Sequence, residues 1–426
     1  MTSSIHHTES ALSFILVQLI LMIAAARVMN TVFRRLGQPG VIGEIMAGLM
    51  LGPSLLGHFL PGVSATLFGT TAAPAITMIS QIGLILLMFQ IGADFEFGHL
   101  KTGRNRGAVG LIAIVSIGVP FALGLLVGQV SAPVLAPGIA PLPYSLFCGV
   151  ALAITAVPIL GRILREYGLT RHELGVVAIS AAAINDVVGW VMLAAISAYA
   201  GSRLTASGLA LQVGGLVALL AAMWFVVRPG VNWLMAKFPL RQGELPPNLV
   251  AIVICLIFVF GICTYRLGIF AIFGGFAAGL VFHRHEAFVA AWRRQVGQFV
   301  LVFFLPVFFT YTGLRTNILG LTSVTDLEWL AVVLSAAILG KVIPVYFAGR
   351  VSGFNRDDSM ILGTLMNTRA LMELIVLNIG YDMGFIPQKV FTILVIMAVA
   401  TTVMTGPLLK VLLRQTGRAV PVGVEA

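Results

Sequence analysis

The chain has 426 residues, of which 59% are hydrophobic and only 10% charged. A soluble domain carries about 25% charged residues, so a water-soluble protein of this length is excluded. The net charge of +10 does not point to nucleic acid, because the basic residues fall in short stretches between apolar runs, where they act as topology signals.

Taken in chain order, the apolar runs predict an all-α membrane protein with 13 transmembrane helices, at 11–33, 41–55, 74–93, 105–130, 143–163, 174–200, 206–230, 247–266, 267–283, 296–316, 327–352, 358–380 and 388–415. Most are near the ~20 residues that a helix needs to cross a bilayer. The first is followed by Arg34 and Arg35 and by further apolar runs, so it is expected to be retained and not cleaved as a leader. The second and ninth are short and glycine-rich. The fifth holds Ala153-Ile-Thr-Ala-Val-Pro158, and Pro158 is expected to break it. The twelfth holds Met366-Asn-Thr-Arg-Ala370, a polar interruption with the same consequence.

Scoring alternate loops places nineteen Lys and Arg on one side and four (Arg203, Arg266, Arg315 and Lys389) on the other. The nineteen-charge side is cytoplasmic by the positive-inside rule. The N-terminus is then outside, the C-terminus inside, and the expected location is the inner cell membrane. The halves resemble each other. Val41-Ile-Gly-Glu-Ile-Met-Ala-Gly-Leu-Met matches Ala271-Ile-Phe-Gly-Gly-Phe-Ala-Ala-Gly-Leu, and spans four and eleven each carry a late proline, Pro120 and Pro344. These patterns divide the chain into a six-helix repeat at 1–203, a linker helix and loop at 204–246, a second, inverted six-helix repeat at 247–416 and a tail at 417–426. A tail this short is expected to hold no regulatory domain. Inverted repeats with discontinuous helices are a transporter architecture, with the site near the midplane.

Ionisable groups at membrane depth are costly and mark functional sites. The candidates at membrane depth are Glu44, Asp186, Lys341, Arg369 and Glu373. Asp186, in Ala182-Ala-Ile-Asn-Asp-Val-Val-Gly-Trp, has no basic neighbour on its own helix and is expected to hold either a cation or a proton. Asn185 adds a neutral oxygen, and Thr155 and free carbonyls at the breaks add others. Arg369 and Glu373, spaced i,i+4, suit a local pair. Lys341 is expected to pair with Asp186 until a cation displaces it. Glu44 is expected to be a packing contact. Cys148, Cys255 and Cys263 lie in apolar runs, and neither they nor the seven histidines suggest a disulfide, metal cluster or cofactor. No catalytic motif is present, so an enzyme is not expected.

Pro39-Gly-Val-Ile-Gly-Glu-Ile-Met-Ala-Gly-Leu-Met-Leu-Gly-Pro-Ser54, Ile154-Thr-Ala-Val-Pro158, Asn185-Asp186 and Met366-Asn-Thr-Arg-Ala-Leu-Met-Glu-Leu-Ile-Val-Leu-Asn-Ile-Gly380 together resemble the monovalent cation/proton antiporter superfamily, on the branch of plant cation/proton exchangers and bacterial potassium-efflux antiporters. The resemblance implies exchange of Na⁺ or K⁺ for H⁺, a homodimer in the lipid bilayer, and a core bundle that moves in an elevator-like cycle. It implies that Asp186 is the ion-binding aspartate, that Thr155 belongs to the crossing, and that Lys341 is the basic residue before the second break. In that superfamily the Asn-Asp pair accompanies electroneutral exchange, whereas a lysine such as Lys341 more often accompanies Asp-Asp. The alternative weighed beside it is a sodium-coupled organic-anion symporter on a similar scaffold; a channel finds no filter-like loop.

Overall fold

The computed structural model describes residues 2–38, 40–68, 73–94, 106–169, 172–200, 214–215, 217–240, 243–267, 270–369 and 371–416. The start of the span expected at 206–230 and the tail at 417–426 lie outside the described residues. The main elements are α1 (Thr2–Arg35), α2 (Gly40–Leu51), α3 (Ala73–Ala93), α4 (Arg106–Leu135), α5 (Pro141–Ala153), α6 (Val157–Glu166), α7 (Glu173–Ala200), α8 (Val217–Lys237), α9 (Pro247–Arg266), α10 (Ala271–Phe282), α11 (Leu305–Leu314), α12 (Val324–Val351), α13 (Arg356–Met366), α14 (Leu371–Asp382) and α15 (Gln388–Gln415).

Ten helical stretches among the described residues are long and apolar enough to cross a membrane. The expected spans that fall short are the two broken ones, fifth and twelfth, and the ninth, which is the short α10. The stretch expected at 296–316 is not uniform: a π-helical turn at Val300–Phe304 leads into α11.

The chain forms two compact units, and each draws on both sequence halves. One comprises Met1–Ala25, Leu60–Glu96 and Ser197–Tyr311, the other Ala26–Phe59, Phe97–Ile196 and Thr312–Ala426. In the first, α3 and α9 pack on α10. Lipid offers no hydrophobic drive between helices, so close approach needs small residues. Gly275 and Gly279 provide it on α10, where a methyl group at Gly279 would lie 2.8 Å from Ala93 N. Phe89, Phe282, Phe288 and Trp292 fill the space beside this contact as a ring cluster.

The second unit holds the breaks. Here α4 packs along α5 through Gly124 and Gly128, and α12 packs on α4 and α13. A methyl group at Gly128 would lie 2.6 Å from Ser145 Cα. The start of α12 is fixed by Ser323 and Asp326, whose side chains cap each other's backbone N–H. Asn355 caps α13 by accepting from Asp358 N–H at 2.7 Å. Glu44 is buried on α2 and accepts from Asn30 Nδ2 at 2.7 Å.

Candidate functional site

The first break falls just before Pro158, not at it. α5 ends at Ala153, Ile154 is extended (φ −69°, ψ 144°), and α6 begins at Val157. Pro158 is then the second residue of the new helix, where a missing N–H costs nothing. The second break has no proline. α13 ends at Met366, and Asn367, Thr368 and Arg369 lie outside regular helix before α14 begins at Leu371. Asn and Thr compete locally for the backbone and weaken helix continuation.

Unwound backbone inside a membrane must find partners, and each break supplies them to the other. Ala156 N–H donates to Thr368 O at 3.1 Å. Thr155 Oγ1 donates to Met366 O at 3.1 Å. Arg369 Nη1 reaches back to Ala151 O, near the end of α5, at 2.9 Å. The two flanking helices support the crossing from matching positions. On α7, Asn185 Nδ2 donates to Thr155 Oγ1 at 3.3 Å. On α15, Thr402 Oγ1 accepts from Arg369 N–H at 3.4 Å.

Asp186 is buried on α7, 4% exposed. Its carboxylate accepts from the Val157 N–H, the first of α6, and Oδ1 has no hydrogen-bond partner. A helix start carries partial positive charge, so the carboxylate is oriented without being neutralised. Asn185 Oδ1 is likewise buried and without a partner. Each of these buried oxygens is an unused acceptor, the kind of group that takes up a hard cation or, in the case of the carboxylate, a proton.

Lys341 is wholly buried on α12, but it does not pair with Asp186 as expected. Its Nζ donates to Ser116 O at 2.6 Å and to Ala153 O. No carboxylate lies within 4.0 Å of it among the described residues. The physical reason is that Ala153 closes α5, where carbonyls lack helical partners and carry the negative end of the dipole. The ammonium satisfies them directly. Arg369 does pair with Glu373, Nη1 to Oε2 at 3.7 Å, with both side chains wholly buried. The pair does not lie along one helix, since Arg369 belongs to the unwound stretch and Glu373 to the first turn of α14. Arg369 Nη2 also donates to Ala337 O at 3.2 Å. The four charges thus follow the half-helix dipoles: the carboxylates sit at the starts of α6 and α14, and Lys341 and Arg369 both cap carbonyls at the end of α5.

Ser116 was not singled out by sequence. It lies on α4, wholly buried. Its Oγ accepts from Asn185 Nδ2 at 2.9 Å, and its carbonyl holds Lys341. The signal was present, since Ser116 is the sole hydroxyl residue in the span 105–130. Thr402 and the carbonyls of Ala151, Ala153 and Met366 carried no such signal. No group of three or more His, Cys, Asp or Glu suited to a metal occurs among the described residues.

Residues 19–415 match the family model described as the transmembrane sodium/hydrogen exchanger. The chain belongs to this family. The sodium/hydrogen exchanger match bears out the resemblance drawn from the four motifs. The chain is 35% identical to the Na(+)/H(+) antiporter NhaS4 of Synechocystis, over 94% of this chain and 97% of that protein. It is 35% identical to cation/H(+) antiporter 17 of Arabidopsis thaliana, over 94% of this chain but 48% of the relative. The K(+)/H(+) antiporter 1 of Saccharomyces cerevisiae is 27% identical, with 95% and 47% covered. The chain therefore spans about half the length of the plant and yeast relatives. The sodium proton antiporter MjNhaP1 of Methanocaldococcus jannaschii shares the fold, with a TM-score of 0.56, 16% identity and 95% of each chain covered. These relatives are named as antiporters, which leaves the organic-anion symporter alternative without support.

Proposed function

We propose that this multi-pass exchanger is a transporter and not an enzyme, and that it exchanges a monovalent cation, Na⁺ or K⁺, for H⁺ with both competing for Asp186. The carrying observation is the buried Asp186 carboxylate, which accepts from Val157 N–H at the first break while its Oδ1, like that of Asn185, has no hydrogen-bond partner. One carboxylate holds one positive guest. If the loaded site is exposed to the two faces in turn, uptake of one guest requires release of the other. Coupling then needs no second titrating group.

The cycle is one-for-one and electroneutral, and it proceeds by an elevator-like movement of the unit that holds the crossing. A homodimer in the inner membrane, with the N-terminus outside and the C-terminus in the cytoplasm, completes the proposal. It is supported by the charge asymmetry of the loops and by relatives named for Na(+)/H(+) and K(+)/H(+) exchange.

The test uses the full chain in liposomes that enclose a pH-sensitive dye under an imposed proton gradient. Addition of Na⁺ or K⁺ should dissipate the gradient, and Asp186→Asn should abolish that response. Cation-driven proton flux retained by Asp186→Asn would overturn the proposal.

A further inference from the structure

We propose that Ser116 is a positioning residue of the ion site: with Thr155 it accepts both hydrogens of the Asn185 amide, and so turns Asn185 Oδ1 toward the bound cation. The proposal rests on the assignment of Asp186 as the cation-binding carboxylate.

A side-chain amide has two ways to sit, with its nitrogen and oxygen exchanged. The neighbours decide between them here. Ser116 Oγ lies 3.1 Å from Ala113 O, and Thr155 Oγ1 lies 3.1 Å from Met366 O. A carbonyl only accepts, so each hydroxyl spends its single hydrogen on that bond. What each hydroxyl offers Asn185 is therefore a lone pair. The amide atom between them lies 2.9 Å from Ser116 Oγ and 3.3 Å from Thr155 Oγ1. Only the NH₂ group satisfies both contacts at once. Turning the amide over would set its oxygen against two lone pairs and give up both of the hydrogen bonds it now donates. Oδ1 is thus turned away from both hydroxyls and is left buried without a partner, as is Oδ1 of the next residue, Asp186.

This cradle selects an amide over a carboxylate. An aspartate at position 185 would meet the same lone pairs and would have to draw both hydroxyl hydrogens away from Ala113 O and Met366 O. The acceptor pair therefore favours one ionised group in the site, not two. Ser116 also links the site to the buried cation, because its carbonyl accepts from Lys341 Nζ at 2.6 Å. That link runs through backbone and survives any side chain at 116.

The test is initial-rate exchange in liposomes at several Na⁺ and K⁺ concentrations, with Ser116→Ala, Ser116→Cys and Ser116→Thr. Loss of one buried acceptor predicts an apparent cation KM raised about fivefold in Ser116→Ala, with the maximal rate within about twofold of wild type. Ser116→Thr, which keeps the hydroxyl, should restore KM. Ser116→Cys, similar in shape but a weak acceptor, should fall between, and it carries the test if the alanine variant does not fold. An unchanged KM in Ser116→Ala, or a raised KM in well-folded Ser116→Thr, would overturn the positioning role. Exchange that survives Asp186→Asn would instead remove the site assignment on which the proposal rests.

Discussion

Replacing Arg369 with methionine tests the charge arrangement at the crossing most directly. The guanidinium is wholly buried, holds Ala151 O and Ala337 O at 2.9 and 3.2 Å, and stands 3.7 Å from a Glu373 carboxylate whose oxygens have no hydrogen-bond partner. Two charge-assisted bonds are lost, each about 1.5–3 kcal/mol, and the several kcal/mol spent on desolvating the guanidinium is recovered. These two changes roughly cancel. What remains is Glu373, buried and stripped of its partner, which costs about 3–5 kcal/mol. Adding Glu373→Gln removes that charge, so the double variant should regain at least ~2 kcal/mol over Arg369→Met alone. Lys341 acts on Glu373 electrostatically and keeps the loss toward the lower end. Reversible unfolding in mixed micelles, with all four members of the cycle, measures the coupling. The reasoning fails if Arg369→Met lies within ~1 kcal/mol of wild type, or if Glu373→Gln gives no recovery in its presence.

Three further outcomes are expected. If H⁺ and the cation compete for Asp186, the apparent cation affinity should fall about tenfold per pH unit once the site is mostly protonated, with an unchanged maximal rate; a falling maximal rate at constant KM in the same liposome assay would exclude simple competition. Gly128→Val forces a side chain into Ser145, where even the first methyl lies 2.6 Å from Cα; overpacking of this kind costs ~1–3 kcal/mol, and thermal unfolding in detergent should show it while Gly107→Val, with open space around it, should not. His285, outside the spans, donates from Nε2 to Asn232 Oδ1 at 3.0 Å, and its pKa is lowered by burial and then by His283. The folded state disfavours its protonated form, so stability should fall as pH drops below the ordinary histidine value of about 6.5. His285→Gln should flatten that part of the pH–stability curve.

The positions of the helices were legible because each must present a long apolar run to lipid, a constraint local to the sequence. The breaks were legible for the same reason: Pro158 and the run Asn367-Thr368-Arg369 interrupt otherwise apolar stretches. The location of the first break at 154–156 was less legible, since a proline marks a helix start as readily as a break. Asp186 stood out as a bare charge. The partners of Lys341 did not, because they are backbone carbonyls of Ser116 and Ala153, and a carbonyl has no letter in the sequence. The organisation into two units was hidden too, since sequence repeats are consecutive whereas each unit gathers segments from both halves.

The carbonyl clamp on Lys341 bears on how a cycle through Asp186 would respond to voltage. With Asp186 ionised, the crossing holds two carboxylates, one ammonium and one guanidinium, and its formal charge is zero. Either guest raises it to +1. Were Lys341 the partner of Asp186, an arriving cation would displace the ammonium and favour loss of its proton, so the two loaded forms would differ in charge. The ammonium instead rests on Ser116 O and Ala153 O, bonds for which a cation at the Asp186 carboxylate would not compete. In the proposed cycle both loaded forms would then carry the same charge in opposite directions, and the membrane potential would do no net work. Moving one net charge through 100 mV is worth about 2.3 kcal/mol, or about fiftyfold in the gradient at which exchange stops. Cation gradients at equilibrium, measured in liposomes held at 0 and −100 mV, should therefore coincide, and a gap approaching fiftyfold would place a second titrating group, Lys341 foremost, inside the transport cycle.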